Sequence, residues 1–243
     1  MGNDVGDADA RAVAGKPQPS TRVPLDRERI LAAALSYIEE HGLPQLSMRK
    51  LGAELGVEGM SLYRYVPGRE ALLDGVVESV VDEMNLDDDV LQEPTHGWQD
   101  YLQRLAHGVR RIALSHPRAF PLVASRPPEA PWLRPPLRSL RWVESFLNGL
   151  TSEGFGDEAA VAAYRAFTSF LLGHLLLEVS TLGADVGPLD VLDDDPASLH
   201  RKTVADFPHV DRMSGQLAQD HSAAEFEESL ENLLDRLTLL RNN

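Results

Sequence analysis

Apolar residues recur at intervals of three and four along most of this chain, which is the spacing of an amphipathic α-helix. In the first such run, Ile30, Ala34 and Ile38 share one face between Asp26 and Gly42. Asp26 suits the N-cap of a helix, and Gly42 suits its C-cap. Since no stretch shows a convincing strand pattern and no internal repeat is found, the sequence predicts an all-α fold.

Two short helices are predicted next, at about 48–55 and 59–65, with a turn at Gly56 between them. Ser47 suits the N-cap of the first, and a longer amphipathic helix follows at about 69–85. Helices of about two turns bury little apolar surface by themselves. The pair therefore predicts a helix-turn-helix that is braced by the first and fourth helices.

Six further helices are predicted downstream, enough for a second core. Their approximate bounds are 98–115, 117–124, 132–153, 157–181, 197–219 and 223–241. The stretch 182–196 is rich in Gly, Pro and Asp, as is typical of a surface loop. We expect a disordered tail at 1–24, a helix-turn-helix domain at 25–70 and a larger helical domain at 71–243.

The composition excludes several classes of function. The 243 residues are 43% hydrophobic and 25% charged, and none is cysteine. Disulfides, thiolate zinc sites and cysteine nucleophiles are thereby excluded. The amino terminus is acidic without an apolar core, so no secretory signal is expected. The longest apolar stretch, 170–177, is far shorter than the roughly 20 residues of a membrane span. We expect a cytoplasmic protein with no membrane partner.

The net charge of −15 argues against a broad basic surface for DNA, because DNA binding requires Lys and Arg to neutralise phosphates. The acidity is unevenly distributed, however, with 28 acidic and 14 basic residues in 71–243. Residues 47–69 carry four basic and two acidic residues and are therefore net positive. Four cations per subunit predict a small DNA footprint with modest non-specific affinity.

In a helix-turn-helix, the helix predicted at 59–65 enters the major groove. Side chains near its N-terminus then reach base edges, and Arg49 suits a bidentate contact with guanine. Hydroxyls and other cations suit phosphate contacts, although Tyr63 and Tyr65 are equally compatible with packing between helices. The candidate DNA-binding residues are Ser47, Arg49, Lys50, Glu58, Gly59, Met60, Ser61, Tyr63, Arg64, Tyr65 and Arg69.

The segment LDRERILAAALSYIEEHGLPQLSMRKLGAELGVEGMSLYRYVPGREALLDGV resembles the DNA-binding domain of tetracycline-repressor (TetR) type regulators over its whole length. RKLGAELGV, SLYRYV and PGREALLDG are its most specific pieces. Downstream, GWQDYLQRLAHGVRRIALSHP, ASRP and LLGHLLLE are similar to the core domain of the tetracycline-repressor subgroup, and VADFPHVDRM resembles its ninth helix. The resemblance implies a homodimer whose ligand domain controls the separation of two DNA-binding heads.

One departure from that subgroup concerns the ligand. Its tetracycline-binding members carry a histidine after the fifth helix that holds the drug-bound metal. The corresponding place here, between Pro121 and Arg126, offers Leu122 and Val123, and a Pro-rich insert, PPEAPWLRPP, follows. These departures argue against tetracycline or another metal chelate as the effector.

Two apolar stripes are candidates for a dimer interface. The last helix carries large residues at heptad spacing, and the 157–181 helix carries small residues that allow close approach. A four-helix interface between two subunits fits both stripes, and the alternative is that they face the core of their own subunit. The candidate interface residues are Ala159, Ala163, Ala166, Phe226, Leu230, Leu233 and Leu237.

An apolar cavity with a few polar groups is the expected effector site. The candidate ligand-binding residues are Leu105, His107, Val109, Phe120, Arg126, Trp142, Phe146, Phe167, Phe170 and His174. Each aromatic residue in this set is also compatible with ordinary core packing. His174 and Glu178 are one helical turn apart, but two ligands do not make a metal site, so we expect neither a metal nor a cofactor.

Catalysis has little support in the sequence. Ser47 and Lys50 match an S-x-x-K motif, but its companion motifs are absent and an N-cap role explains Ser47. The sequence therefore predicts no enzyme. The resemblance implies a helix-turn-helix DNA-binding domain at 25–70 and a helical ligand-binding and dimerisation domain at 71–243. It also implies a homodimeric repressor that a small hydrophobic molecule releases from palindromic double-stranded operator DNA. The alternatives are an activator, or a related fold that binds a partner protein.

Overall fold

The computed structural model describes residues 24–86, 94, 96–125, 132–133, 140–186 and 207–242. Within these ranges it contains α-helices and no strand, which confirms the all-α prediction. The helices are α1 (Arg27–His41), α2 (Met48–Glu54), α3 (Gly59–Leu62), α4 (Arg69–Leu86), α5 (Trp98–Ser115), α6 (Phe120–Ser125), α7 (Leu140–Ser152), α8 (Asp157–Thr181), α9 (Pro208–Leu217) and α10 (Ser222–Arg241).

The caps predicted for α1 are confirmed. The Asp26 side chain accepts a hydrogen bond from the Arg29 backbone N–H at 2.8 Å. At the other end, Gly42 has a φ of 82° and donates its N–H to the Ile38 carbonyl. A side chain larger than glycine is disfavoured at that φ, so Gly42 ends the helix and redirects the chain.

Several helix bounds differ from the sequence prediction. α3 ends at Leu62 and not at residue 65, because the Leu62 carbonyl accepts from the N–H groups of both Tyr65 and Val66 in a turn before Pro67. α6 begins at Phe120, after a turn over 117–119. A one-turn 3-10 helix, Leu43–Gln45, was not predicted.

Parts of two predicted helices lie outside the described residues. These parts are 134–139, which precedes α7, and 197–206, which precedes α9. The tail at 1–23 and most of the predicted loop at 182–196 also lie outside them.

Two hydrophobic cores organise the molecule. The head core is built from α1, α2, α3 and the first half of α4, and the body core from α5, α7, α8, α10 and the second half of α4. The division within α4 falls between Val77, in the head core, and Val80, in the body core. Because one continuous helix serves both cores, the head continues well beyond residue 70 in its packing.

α8 is the central helix of the body, and it is unusually apolar. Its most hydrophobic window has a mean hydropathy of 1.4, so by length and composition α8 meets the requirements of a membrane span. This is weak evidence for a membrane, because the core helix of a soluble protein passes the same test. Phe167 and Leu175 of α8 are completely buried in the body core.

Candidate nucleic-acid interface and ligand site

The turn between α2 and α3 is held by backbone hydrogen bonds. The Ser47 side chain caps α2 by accepting from the Lys50 N–H at 3.3 Å. After α2, Gly56 has a φ of 68°, a left-handed conformation that favours glycine. The Val57 N–H donates to the Gly52 carbonyl at 2.9 Å. These contacts fix the direction in which α3 leaves the turn.

α2 and α3 approach each other through two glycines. A Cβ placed on Gly52 would lie 2.8 Å from the Gly59 Cα, and a Cβ on Gly59 would lie 3.0 Å from the Met48 carbonyl oxygen. Gly59, a candidate for DNA contact, therefore also has a packing role. The close approach holds α3 as a rigid unit with α2.

The surface of α3 and the turn after it is divided into a buried and an exposed side. Leu62 and Val66 are buried in the head core. Met60, Tyr63 and Tyr65 are 77%, 44% and 40% exposed. Exposure of this size argues against the alternative that the two tyrosines pack between helices. A large exposed methionine beside two exposed tyrosines is the surface expected of an element that docks into a groove.

The charged candidates lie around this surface. Arg49, Glu58, Arg64 and Arg69 are exposed. Lys50 is half-buried, and its Nζ donates to the Gln45 side-chain oxygen at 2.7 Å. That hydrogen bond holds the lysine beside the 3-10 turn. The structure thus places all eleven candidates in one continuous segment of the head, and their DNA contacts stay a prediction.

Four aromatic rings of α7 and α8 form a group in the body core. Phe146 lies at its centre, with ring centroids 5.4 Å from Trp142, 5.8 Å from Tyr164 and 5.4 Å from Phe167. Leu105 and Phe120, two further candidates, are completely buried in the same core, and Val109 is buried there too. We call the four rings the aromatic group. Ring pairs at these distances stabilise a core beyond the area that they bury.

Tyr164 was missed as a candidate, although it lies one turn before Phe167 on the same helical stripe. Burial raises the pKa of Tyr164 from 10.0 to about 12, because a phenolate is poorly solvated inside the core. Burial also raises the pKa of Tyr101, whose hydroxyl donates to the Ser145 carbonyl. Both phenols are therefore protonated at neutral pH, and the Tyr101 hydroxyl links α5 to α7.

The two histidine candidates lie in a second group of rings near α10. The Phe226 ring is 5.2 Å from His174, 5.8 Å from His107 and 5.7 Å from Phe170. His174 Nε2 donates to the Ser222 carbonyl at 3.1 Å, and His107 Nε2 lies 3.1 Å from the Glu227 carboxylate. These partners come from α10, so both histidines link α10 to the rest of the body.

A buried ion pair was also missed by the sequence reasoning. The Arg110 guanidinium donates two hydrogen bonds to the Glu178 carboxylate, joining α5 to α8. It also lies over the Phe226 ring, 5.1 Å from the centroid. The hydrogen bonds to Glu178 raise the pKa of Arg110. Among the described residues, no group of three or more His, Asp and Glu side chains suits a metal ion.

Both parts of the chain match known protein families. Residues 92–239 match the family described as "Tetracyclin repressor-like, C-terminal domain", and residues 30–76 match "Bacterial regulatory proteins, tetR family". The chain belongs to the TetR family. TetR regulators are not enzymes, so the expectation of no catalysis is confirmed at the level of the family.

Two curated relatives illustrate the sequence likeness. An "HTH-type transcriptional regulator" of Saccharopolyspora erythraea is 30% identical over 161 residues, which cover 66% of this chain and 64% of that protein. The chain thus spans just under two thirds of that relative's length. The "Tetracycline repressor protein class G" of Vibrio anguillarum is 27% identical over 219 residues, covering 89% of this chain and 95% of the relative.

Two solved structures from Streptomyces coelicolor illustrate the structural likeness. A possible TetR family transcriptional regulator is 30% identical with a TM-score of 0.68, covering 88% of this chain and all of that one. The TetR family protein ActR in complex with actinorhodin is 27% identical with a TM-score of 0.63, covering 88% of this chain and 96% of ActR. The sequence and structural likenesses thus both place the chain among the transcriptional regulators of the TetR family.

The structure corrects part of the predicted dimer interface. Ala163, Phe226 and Leu237 are completely buried in their own chain, and Leu230 is 1% exposed. A partner subunit has no surface of these side chains to cover, so their assignment to the interface is wrong. Ala159, Ala166 and Leu233 are only partly buried against the body core, and their role stays a prediction. Arg126, a ligand candidate, lies outside the described residues.

Proposed function

We propose that this TetR regulator is a homodimeric repressor that a small hydrophobic molecule releases from a palindromic operator. The observation that carries the proposal is the exposed side of α3. Leu62 and Val66, in α3 and the turn after it, are buried, while Met60 of α3 and Tyr63 and Arg64 of that turn face solvent. An element with this division, fixed to α2 by two glycines, is pre-organised to enter the major groove.

The charge distribution supports DNA as the partner. Arg49, Lys50, Arg64 and Arg69 lie on the head, whereas the body is strongly acidic. An acidic body is repelled by phosphates, which leaves the head as the productive contact surface.

Dimerisation supplies the specificity that one small head lacks, because two half-sites must be matched at once. Apolar side chains are left exposed on the two helices predicted to form the interface. Leu177 of α8 is 70% exposed, and Leu239 of α10 is 67% exposed. Covering such side chains with a second copy removes apolar surface from water, which favours association.

The effector site is proposed to lie at the aromatic group. Trp142, Phe146, Tyr164 and Phe167 suit a flat, largely apolar molecule, with the Tyr164 hydroxyl as a polar partner. The structural likeness to ActR, which has been solved with actinorhodin, supports a small-molecule effector.

The response requires two conformations that bind the effector with different affinity. In the DNA-binding conformation the two α3 helices lie about 34 Å apart, one turn of DNA. Effector binding in the body favours a conformation with a different head spacing. A coupling of roughly 1 to 3 kcal/mol would weaken operator binding by about 5-fold to 150-fold.

An electrophoretic gel shift with the DNA upstream of the chain's own coding region tests the DNA role. We expect affinity at least about 1,000-fold above that for random DNA of equal length, as is usual for specific sites. Two chains per bound site, measured by light scattering, are expected for the dimer. Equal affinity for both DNAs would refute the proposed operator.

A thermal-shift screen of hydrophobic aromatic molecules tests the effector role. A ligand at 100 times its dissociation constant adds about 2.7 kcal/mol to the free energy of unfolding. Each stabilising compound is then added to the gel shift. If a compound stabilises the protein at saturation and leaves operator affinity unchanged, the proposed release mechanism is wrong.

A further inference from the structure

The segment 116–122, which follows α5 and includes the first residues of α6, contributes to both cores. Ala119 and Leu122 are buried in the head core. Phe120, between them, is completely buried in the body core. Consecutive Cα atoms are about 3.8 Å apart, so Phe120 cannot shift by much without moving Ala119. The segment therefore connects the interior of the body directly to the interior of the head.

The head holds this segment through Glu39 of α1. One carboxylate oxygen accepts from the Ala119 N–H at 2.9 Å, and the other accepts from the Arg118 N–H at 3.2 Å. The Arg118 guanidinium in turn donates to the Glu40 carbonyl at 2.7 Å. Hydrogen bonds to a carboxylate are roughly twice as strong as those between neutral groups. Glu39 thus fixes two successive peptide units of the segment against the end of α1.

α1 transmits this position to the DNA-binding helices. Ile38, the neighbour of Glu39, is completely buried in the head core, as is Leu51 of α2. On the body side, His116 Nε2 lies 2.8 Å from the Glu83 carboxylate of α4. The segment therefore has one polar attachment to α4 and a separate one to α1. The attachment to α1 bypasses α4.

We propose that Glu39 is a positioning residue that sets the orientation of the DNA-binding head according to the position of segment 116–122. A displacement at Phe120 moves the N–H groups of Arg118 and Ala119, and the Glu39 carboxylate carries α1 with them. The direction of the signal, from effector to DNA, rests on the proposed function. The connection between the body core and the head rests only on the contacts of Glu39, Arg118, Ala119 and Phe120.

The test is a double-mutant cycle on the full-length chain without effector or DNA. Phe120→Leu perturbs the body core, and Glu39→Gln replaces one acceptor oxygen by an NH2 group and removes the charge. Amide hydrogen exchange of α1 and α2 reports the head, and that of α8 reports the body. We expect Phe120→Leu alone to speed exchange in the head at least about fivefold, the lower end of usual coupling between sites.

In a chain that already carries Glu39→Gln, Phe120→Leu should change the exchange rate of α8 as much as it does in the wild-type chain. The exchange rates of α1 and α2 should change by less than about twofold. Glu40→Gln is the matched control, because Glu40 contributes only its backbone carbonyl to the contact. In a chain that carries Glu40→Gln, Phe120→Leu should still speed the exchange of α1 and α2 as much as it does in the wild-type chain. Where Glu39→Gln unfolds the head, Glu39→Asp, which keeps the charge and shortens the reach, replaces it in the cycle.

Two results would overturn the proposal. One is an increase in the exchange rates of α1 and α2 upon Phe120→Leu that is equally large with and without the Glu39 substitution. The other is that Phe120→Leu alone leaves the exchange rates of α1 and α2 unchanged. Neither result depends on DNA binding, which the gel shift of the wild-type chain measures separately, so failure of this inference and failure of the proposed function are distinguishable.

Discussion

Arg49 and Arg69 are both exposed cations of the head, but they begin different helices. Arg49 lies in the first turn of α2, close to Gly59 at the start of α3. Arg69 begins α4, beyond the turn that follows α3. We expect Arg49→Ala to reduce the free-energy difference between the preferred and the wrong base pair at one operator position by about 1 to 3 kcal/mol. Arg69→Ala should weaken binding to all DNA alike. Binding to operator and random DNA, measured by fluorescence anisotropy, separates the two effects.

Arg111 provides the control for both changes, because it is an exposed arginine of α5, in the body. Arg111→Ala should leave both affinities nearly unchanged. Equal losses on operator and random DNA for Arg49→Ala and Arg69→Ala would remove the distinction between base readout and phosphate contact.

Because the Tyr164 phenol is buried, we expect the free energy of unfolding to fall at high pH. Its pKa is raised to about 12 in the folded protein and is about 10 in the unfolded chain. The stabilisation is therefore complete below pH 10 and is lost between about pH 10 and 12, because only the unfolded state releases the proton in that range. Urea unfolding at pH 8 and pH 11 measures the loss. Tyr164→Phe should reduce the loss by on the order of 1 kcal/mol. An identical pH dependence in the variant would argue against a buried phenol.

At the scale of the element, the contact between α2 and α3 depends on glycine. A methyl group at Gly52 would meet the Gly59 backbone at 2.8 Å, whereas one at Gly68 meets nothing within 4 Å. Gly52→Ala should lower the free energy of unfolding by about 1 to 3 kcal/mol, as overpacking usually does. It should also weaken DNA binding, because α3 must shift. Gly68→Ala is the control within the head, and equal behaviour of the two variants in urea unfolding would contradict the close approach.

The contact between α5 and α8 depends on a buried charge. Glu178 is 6% exposed, so Glu178→Ala leaves the Arg110 guanidinium without its carboxylate. We expect a loss of about 3 to 5 kcal/mol in the free energy of unfolding. The double change Arg110→Leu with Glu178→Leu should recover most of it, since no buried charge then remains.

Glu78→Gln is the control for the ion pair, because the pair of Glu78 with Arg27 is about half exposed. Exposed pairs contribute at most about 1 kcal/mol. Chemical denaturation of the four proteins gives the comparison. A loss for Glu178→Ala no larger than that for Glu78→Gln would contradict the buried ion pair.

At the scale of the whole molecule, the uneven charge predicts the salt dependence of DNA binding. Four cations per head give up to about eight phosphate contacts for two heads, so the slope of log K against log salt should not be steeper than about −7. Binding isotherms at several salt concentrations measure it. Substituting acidic residues of the body, such as Glu231→Gln on the exposed side of α10, should leave the slope unchanged. A much steeper slope would indicate that basic residues outside the head also contact DNA.

Local signals explain what the sequence predicted well. Asp26, Gly42 and Ser47 mark helix ends through bonds to residues at most four positions away, so the caps are visible in the sequence. The division of α3 into buried and exposed sides follows from the same short-range pattern. Such features depend on neighbours along the chain and need no knowledge of tertiary contacts.

Long-range contacts explain what the sequence did not predict. The heptad stripe of α10 was visible, but its spacing does not say which surface covers it, and Phe226 faces its own chain. Arg110 and Glu178 are 68 positions apart, and His107 and Glu227 are 120 positions apart. Partners at such separations become apparent only when the helices are placed side by side.

The sharing of α4 and segment 116–122 between two cores limits how this regulator can be recombined with its relatives. A chimera joined at residue 70 would keep α1 and α2 from one parent and take Val76, Val77, Ala119 and Leu122 from the other. Those side chains would then fill a head core that they do not match. A productive exchange of operator specificity between TetR proteins would have to transfer them with the head, or else replace only the exposed side of α3.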